Sequence, residues 1–432
     1  MTHPQLTIEP IDDLIDVPRQ IRVSGLASGQ QVQLRTRTYR GQQQLWQSQA
    51  IFQADANGTI DLSTQAPLSG SYEGVDPMGL IWSQRPEQEG EREVFGAQVT
   101  DPICTEVEVV GDTVQLAGQL VQRLAAPGVQ RVEIRENGLV GTVFIPATAG
   151  PHPAVMILNG SGGGINEPRA ALYASHGYLA FALAYFKAPG LSDYISNTPL
   201  EYFKKGLDWL RQTYAPLNDF VAINGQSRGG ELVLLLASTY PKDVSAVVAY
   251  VPGAVVHSGQ NAADPAIGRE GPAWLLNGEP LTHVWANNKT ATWAPYDEGP
   301  APHRHEKAIL TALQDPEAVE RARIPVERIQ APIILLSGTD DGAWPSSLYS
   351  QMVVERLTQY GYTHEVQWVD TPDAGHSIVF PYIPTTQLIY THPVSKRVST
   401  SGGRPDANAL SDATSWSAIK AFLSRAQRGK KQ

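Results

Sequence analysis

Phe220-Val-Ala-Ile-Asn-Gly-Gln-Ser227-Arg-Gly-Gly-Glu-Leu-Val-Leu-Leu-Leu-Ala-Ser-Thr239 is the stretch on which the fold turns. Residues 220–223 form an apolar run of strand length, and from Arg228 onward apolar residues continue as a helix to Tyr240. Between them lies Gly225-Gln-Ser227-Arg-Gly229, a G-x-S-x-G turn. Its serine is forced into strained backbone geometry, and glycine on either side lets the chain pass close to itself. The pentapeptide alone occurs by chance in ordinary loops; the strand before it and the helix after it point to a nucleophile. A serine so placed stands at a helix N-terminus, where backbone N–H groups and the helix dipole favour developing negative charge.

Outward from this turn, apolar runs at 154–158, 178–183, 220–223, 244–250, 332–336 and 366–369 alternate with helical patterns at 168–176, 200–214, 228–240, 346–360 and 407–426. The alternation predicts a mostly parallel sheet with flanking helices, and the G-x-S-x-G turn set between one of its strands and helices makes an α/β hydrolase fold the expectation. Residues 252–330, rich in Pro, Gly and Trp, read as an insertion beside the site. Residues 7–127 follow another pattern. Short runs such as Ile21-Arg22-Val23 and Val107-Glu108-Val109 alternate apolar with polar, Asn57-Gly58 supplies a turn, and no 3.6-residue stripe runs through them. An antiparallel, immunoglobulin-like β-sandwich is expected there. The expected domains are thus 1–127 and 128–432.

A serine nucleophile needs a base, and the base an orienting acid; on this fold they follow in the order Ser, Asp or Glu, His. Gly338-Thr339-Asp340-Asp341 follows one strand and Ala374-Gly375-His376 the next. Ser227, Asp341 and His376 satisfy the order, with Asp340, Asp370 and Asp373 open as competing acids. The oxyanion hole is expected from the N–H of Arg228 and from Gly160, Ser161 and Gly162 in the loop Asn159-Gly-Ser-Gly-Gly-Gly164. That loop lacks the Lys-Ser/Thr ending of a phosphate-binding P-loop.

Other candidates point to lesser roles. His303 and His305 lack metal-ligand partners at a recognised spacing and read as a surface helix start; no metal or cofactor is expected. Trp274, Trp285 and Trp293 either line an apolar acyl tunnel or pack the insertion onto the main domain. Cys104, the only cysteine, excludes an intrachain disulfide and is expected to be a buried small hydrophobe.

Taken together, these motifs resemble the acyl-CoA thioesterase and bile acid-CoA:amino acid N-acyltransferase family. Further carriers of the resemblance are Val23-Ser-Gly-Leu-Ala27, Gly70-Ser-Tyr-Glu-Gly-Val-Asp-Pro-Met-Gly-Leu-Ile-Trp82, Pro127-Gly-Val-Gln-Arg131, Leu183-Ala-Tyr-Phe186, Leu200-Glu-Tyr-Phe203, Gly375-His376 with Pro381-Tyr382, and Gly402-Gly403 with Asp412 and Trp416. The resemblance implies a nucleophile at Ser227, an acid at Asp341, which ends a G-x-x-D pattern, and a base at His376. It implies cleavage of acyl-CoA thioesters. Relatives with serine as nucleophile tend to pass the acyl group to water and those with cysteine to an amino acid. An acyltransferase and an oxygen-ester hydrolase are the alternatives. Arg228 and the stretch 278–303 depart from the family pattern.

The chain of 432 residues carries 33 Lys+Arg against 43 Asp+Glu, a net charge of −10. This argues against a nucleic-acid or polybasic membrane-surface partner. No apolar run reaches the ~20 residues of a membrane span, and the polar residues 1–10 lack a secretory pattern. A soluble cytoplasmic protein is expected. The acidity is uneven: residues 1–127 hold 8 basic and 16 acidic residues and no lysine, whereas the remainder holds 25 and 27. A basic patch for a polyanionic substrate is therefore compatible with the second half, with Lys187, Lys204, Lys205 and Arg228 as candidates.

Overall fold

The computed structural model describes residues 3–88, 90 and 92–430. Eight strands build the central sheet: β1 (Gln130–Glu136), β2 (Leu139–Ile145), β3 (Ala154–Leu158), β4 (Leu179–Ala184), β5 (Val221–Gln226), β6 (Ala246–Tyr250), β7 (Ile333–Gly338) and β8 (Val366–Thr371). They lie in the order β1-β2-β4-β3-β5-β6-β7-β8. The pairs β1–β2 and β2–β4 are antiparallel and all others parallel. Every residue of β3, β4, β6 and β7 is buried, as a parallel sheet covered on both faces requires. Helices α1 (Glu167–Ser175), α2 (Leu200–Tyr214), α3 (Arg228–Thr239), α4 (Ser346–Gln359) and α5 (Pro405–Lys430) accompany the sheet in sequence. This is the α/β hydrolase order, and it places the C-terminal ends of β5, β7 and β8 at one edge.

The chain divides into two compact units. The second comprises Pro127–Ile378, Ile389–Gly403 and the residues from Thr414. The first comprises residues up to Ala126 together with Val379–Leu388 and Arg404–Ala413, so two short stretches expected with the second domain cluster with the first. Within the first unit, Gln122 Nε2 donates to Tyr382 O at 3.0 Å, Thr385 N to Trp82 O at 3.0 Å and Thr386 Oγ1 to Gln84 O at 2.7 Å. Such pairings span some 260 to 300 residues of sequence.

The first unit holds a sheet of Gln5–Glu9, Gln20–Ser24 and Ile60–Asp61, and a larger one running Asp12–Leu14, Val114–Arg123, Ile103–Gly111, Gln31–Arg40, Gln44–Gln53, Ser69–Gly70. All these pairings are antiparallel except that of Asp12–Leu14 with Val114–Arg123. Ile21, Val23 and Ile60 from the small sheet share one core with Leu34, Phe52, Val107 and Val109 from the large. Alternation decides which side chains enter it. Thr105 faces inward, with its hydroxyl 2.7 Å from that of Thr38, and Cys104 beside it faces out. Cys104 is therefore exposed, contrary to the expectation of a buried hydrophobe.

Candidate active site

Ser227 sits between β5 and α3 with φ 60° and ψ −118°, a conformation that a non-glycine residue keeps only when its surroundings enforce it. The neighbouring glycines explain how. A β-carbon on Gly225 would overlap the carbonyl of Gly229, and one on Gly229 would press on the carbonyls of Leu158 and Asn159. The turn is pinned by Ser227 N donating to Tyr250 O at 2.9 Å and by Glu231 N donating to Ser227 O at 3.0 Å.

The serine hydroxyl lies 2.7 Å from His376 Nε2, and His376 Nδ1 lies 2.8 Å from Asp341 Oδ2. With Nδ1 donating to the carboxylate, Nε2 accepts the serine proton. Asp341 is buried, and its other oxygen accepts from the amides of Ala343 (2.9 Å) and Trp344 (3.1 Å). His376 is held through its own amide, which donates to Ser401 O at 2.8 Å. The competing acids are engaged elsewhere. Asp340 accepts from Gly403 N and pairs with Arg304, both at 2.9 Å. Asp370 accepts from the hydroxyls of Ser337 and Ser347, and the amide of Asp373 is tied to Thr339 Oγ1.

The Gly-rich loop lies against the serine: a β-carbon on Gly160 would stand 3.2 Å from Ser227 Cβ and 3.8 Å from its Oγ. Among the described residues, the amides of Gly160, Ser161, Gly162 and Arg228 have no backbone acceptor. They are donors available to a charge that forms beside Ser227.

Several residues that sequence reasoning missed hold this frame. Arg169, on α1 and 1% exposed, donates to Gln226 Oε1 (2.9 Å) and Ile378 O (3.1 Å) and lies over the Tyr250 ring. It thereby ties the residue before Ser227 to the chain just after His376. In the first turn of α3, the fully buried Glu231 accepts from four donors. One oxygen takes Trp274 Nε1 (2.9 Å) and His257 N (3.1 Å); the other takes Arg228 Nη1 (3.0 Å) and His257 Nδ1 (2.8 Å). Burial opposes its ionisation, but Arg228 and His257 outweigh burial and hold the carboxyl below its ordinary range. The pair Arg228/Glu231, three apart at the start of an otherwise apolar helix, was the available signal.

The remaining candidates fall into place. The Arg228 side chain, 2% exposed, turns inward to Glu231 and to Ser258 O (2.6 Å), which removes it from any surface patch. Lys204 is paired with Asp208 and, at 3.6 Å, with Asp243, and so offers little net charge to a ligand. Lys205, next on α2, is exposed. Lys187 lies at the Gly-rich loop, where a β-carbon on Gly163 would stand 2.7 Å from its Cβ. Trp274 is wholly buried on Glu231, and Trp285 and Trp293 stack on one another at 3.9 Å with Trp293 bonded to Glu270. These rings pack the segment between β6 and β7. His305 does stand at a helix start, as the N-cap of Glu306–Ala312, but it is buried against Tyr296 and Trp293 and donates to Ala343 O, so it is not at the surface. Among the described residues no group of three or more His, Cys, Asp or Glu could hold a metal ion, and no helix is long and apolar enough to cross a membrane.

Two family models match the chain: the acyl-CoA thioester hydrolase/BAAT N-terminal region over residues 16–136 and the BAAT/acyl-CoA thioester hydrolase C-terminal region over residues 198–428. Acyl-coenzyme A thioesterase 1 of Rattus norvegicus is 32% identical, with 98% of this chain and 97% of the relative aligned. Acyl-coenzyme A thioesterase 6 of Homo sapiens is 31% identical over 96% and 95%. The mitochondrial acyl-coenzyme A thioesterase 2 of Mus musculus is 32% identical over 98% and 89%. Fold, matched regions and full-length similarity agree: the chain belongs to the acyl-CoA thioester hydrolase/BAAT family.

Proposed function

We propose that the protein hydrolyses acyl-CoA thioesters through an acyl-enzyme on Ser227. The observation that carries this reading is the unbroken hydrogen-bond relay from Ser227 through His376 to Asp341, set on a strained strand-to-helix turn. Ser227 Oγ attacks the thioester carbonyl while His376 Nε2 takes its proton, and Asp341 stabilises the resulting imidazolium. The oxyanion that forms is held by the Arg228 amide and those of the 160–162 segment. Collapse breaks the carbon–sulfur bond, and CoA leaves as a thiol once His376 returns the proton. Water then enters, gives a proton to His376 and attacks the acyl-serine; collapse releases the carboxylic acid and restores Ser227. The names of the relatives support CoA as the leaving group.

The test is release of free thiol from a panel of acyl-CoA chain lengths, with and without glycine or taurine. The parent should release thiol and yield the free acid by mass spectrometry, and Ser227→Ala should lose activity by on the order of 10⁴-fold. A Ser227→Ala protein that works at the parental rate sinks the mechanism, and a conjugated product replaces hydrolysis with acyl transfer.

A further inference from the structure

Two lysines that the relay does not use converge on one carbonyl oxygen. Lys187 follows β4, and Lys396 lies in the hairpin formed by Ile389–Thr391 and Val398–Thr400. Their Nζ atoms donate to Pro393 O at 2.9 and 2.8 Å. Sharing one acceptor brings the two ammonium groups within reach of a single phosphate. Among the described residues neither forms an ion pair, and each has used one of its three donors. Both residues also hold left-handed backbone, φ 52° and 60°, which is uncommon outside glycine and concentrates at functional sites. Burial lowers the Lys187 pKa first and the charge of Lys396 lowers it further, with Asp193 the carboxylate acting against them. The arrangement is one of like charges held together.

The pair is built onto the Gly-rich loop at the proposed oxyanion site. Lys187 packs on Gly163, and a β-carbon on Gly162 would stand 3.5 Å from Pro393 Cγ. His392 supplies the third link. Its Nδ1 accepts from the amides of Val394 and Ser395, both at 3.2 Å, so Nε2 is the protonated nitrogen and donates to Ser161 Oγ at 3.0 Å. The lysine hairpin and the loop beside Ser227 are thus fastened to one another by a buried histidine.

We infer that Lys187 and Lys396 form a phosphate-binding subsite for the leaving-group end of the substrate, on the premise that this substrate is the CoA thioester proposed above. Phosphate offers several oxygens to the free ammonium donors and relieves their mutual repulsion. The subsite accounts for how an acidic protein recruits a polyanion, and it lies on the loop nearest the reacting carbonyl.

The experiment compares the parent with Lys187→Gln, Lys396→Gln and the double variant. Calorimetry measures binding of free CoA, and kinetics are measured on one acyl group carried by CoA, by 4′-phosphopantetheine and by phosphate-free pantetheine. Each charge removed should weaken CoA binding and raise KM for the CoA thioester roughly ten-fold, leaving kcat within about two-fold, as expected for a lost charged hydrogen bond in the bound state. The pantetheine thioester should be unaffected, and Lys396→Arg should behave as the parent. A matching loss on the phosphopantetheine thioester assigns the subsite to the phosphate of the pantetheine arm; a loss confined to CoA assigns it to the nucleotide phosphates. Unchanged CoA binding in the double variant, or an equal loss on pantetheine, overturns the subsite. A parent that binds CoA through these lysines yet releases no thiol keeps the subsite and overturns the hydrolase reading, and a parent that turns over with the double variant unaltered does the reverse.

Discussion

The second unit contains two acid–histidine–hydroxyl relays with the same dimensions. In one, Asp341, His376 and Ser227 are joined at 2.8 and 2.7 Å; in the other, Glu231, His257 and Tyr349 are joined at 2.8 and 2.7 Å. They differ in access and backbone. The His376 side chain is 13% exposed and that of His257 is not exposed at all. Ser227 stands on a left-handed turn beside a glycine loop, whereas Tyr349 is a phenol inside α4 whose pKa burial drives well above its ordinary value. Glu231 also serves Arg228 and Trp274, while the other two acceptor contacts of Asp341 are backbone amides two and three residues on. Hydrogen-bond distances alone therefore do not tell the two relays apart. The outer one has an approach to its hydroxyl and donors for a forming charge, and the inner one clamps the helix that carries the serine. Trp344 lies between them, stacked on His257 at 4.9 Å and edge-on to His376 at 6.1 Å.

The sharpest way to separate the two is to neutralise each acid in turn. Asp341→Asn should lower kcat/KM by about 10³ to 10⁴ with the melting transition kept, because the imidazole loses its orienting carboxylate. Glu231→Gln should cost less than about ten-fold in the same assay, since its carboxylate touches no reacting atom. Equal losses at both positions would make the inner relay part of the chemistry.

Stability should rank the relays the other way. Glu231→Ala takes the shared carboxylate from the buried Arg228 and His257, and a broken buried ion pair of this kind costs about 3–5 kcal/mol. Denaturant unfolding of the variant reads this directly; a change under about 1 kcal/mol would show that the cluster does not clamp the fold.

Acidification gives the most graded effect and, for any one histidine, the smallest. Burial pushes His305 down to about 3 and His392 to about 4, and it lowers His257 as well. An unfolded histidine titrates near 6.5. Between that value and the folded ones the unfolded chain binds more protons, so stability falls as pH drops below about 6.5, by up to about 1.4 kcal/mol per pH unit for each histidine. The loss levels off once the folded histidines protonate too. Urea unfolding at pH 7, 6 and 5 should show this slope, and His392→Gln should flatten it; a slope that His392→Gln leaves untouched would remove His392 from the account.

What could be read in the sequence follows from what is local. The β5–turn–α3 unit is written in adjacent residues, and α2 begins and ends at the residues its apolar period marks, closing at Ala215 in left-handed backbone. Choosing Asp341 over Asp340 is not local. Asp340 is captured by Gly403 and Arg304, which lie 63 and 36 residues away, while Asp341 is turned by the amides of Ala343 and Trp344. The expectation for Cys104 rested on its residue type, whereas the alternation that turns Thr105, Val107 and Val109 inward puts Cys104 on the outer face with Glu106. The inner relay joins Glu231 to His257, 26 residues on, and His257 to Tyr349, a further 92 residues on, and only the Arg228/Glu231 pair at the start of an apolar helix hinted at it. The stretches 379–388 and 404–413 carry no pattern that names a partner 300 residues back.

Those two stretches have a consequence for the order in which the protein is made. Domains that are continuous in sequence can fold while the rest of the chain is still being synthesised. Here the carbonyls of Trp82 and Gln84 and the side-chain amide of Gln122 meet Thr385, Thr386 and Tyr382 only when those residues emerge, after Ser227, Asp341 and His376 have all left the ribosome. The first unit to be started is among the last to be finished, and severing the chain at Ala126 leaves it without part of its own interior.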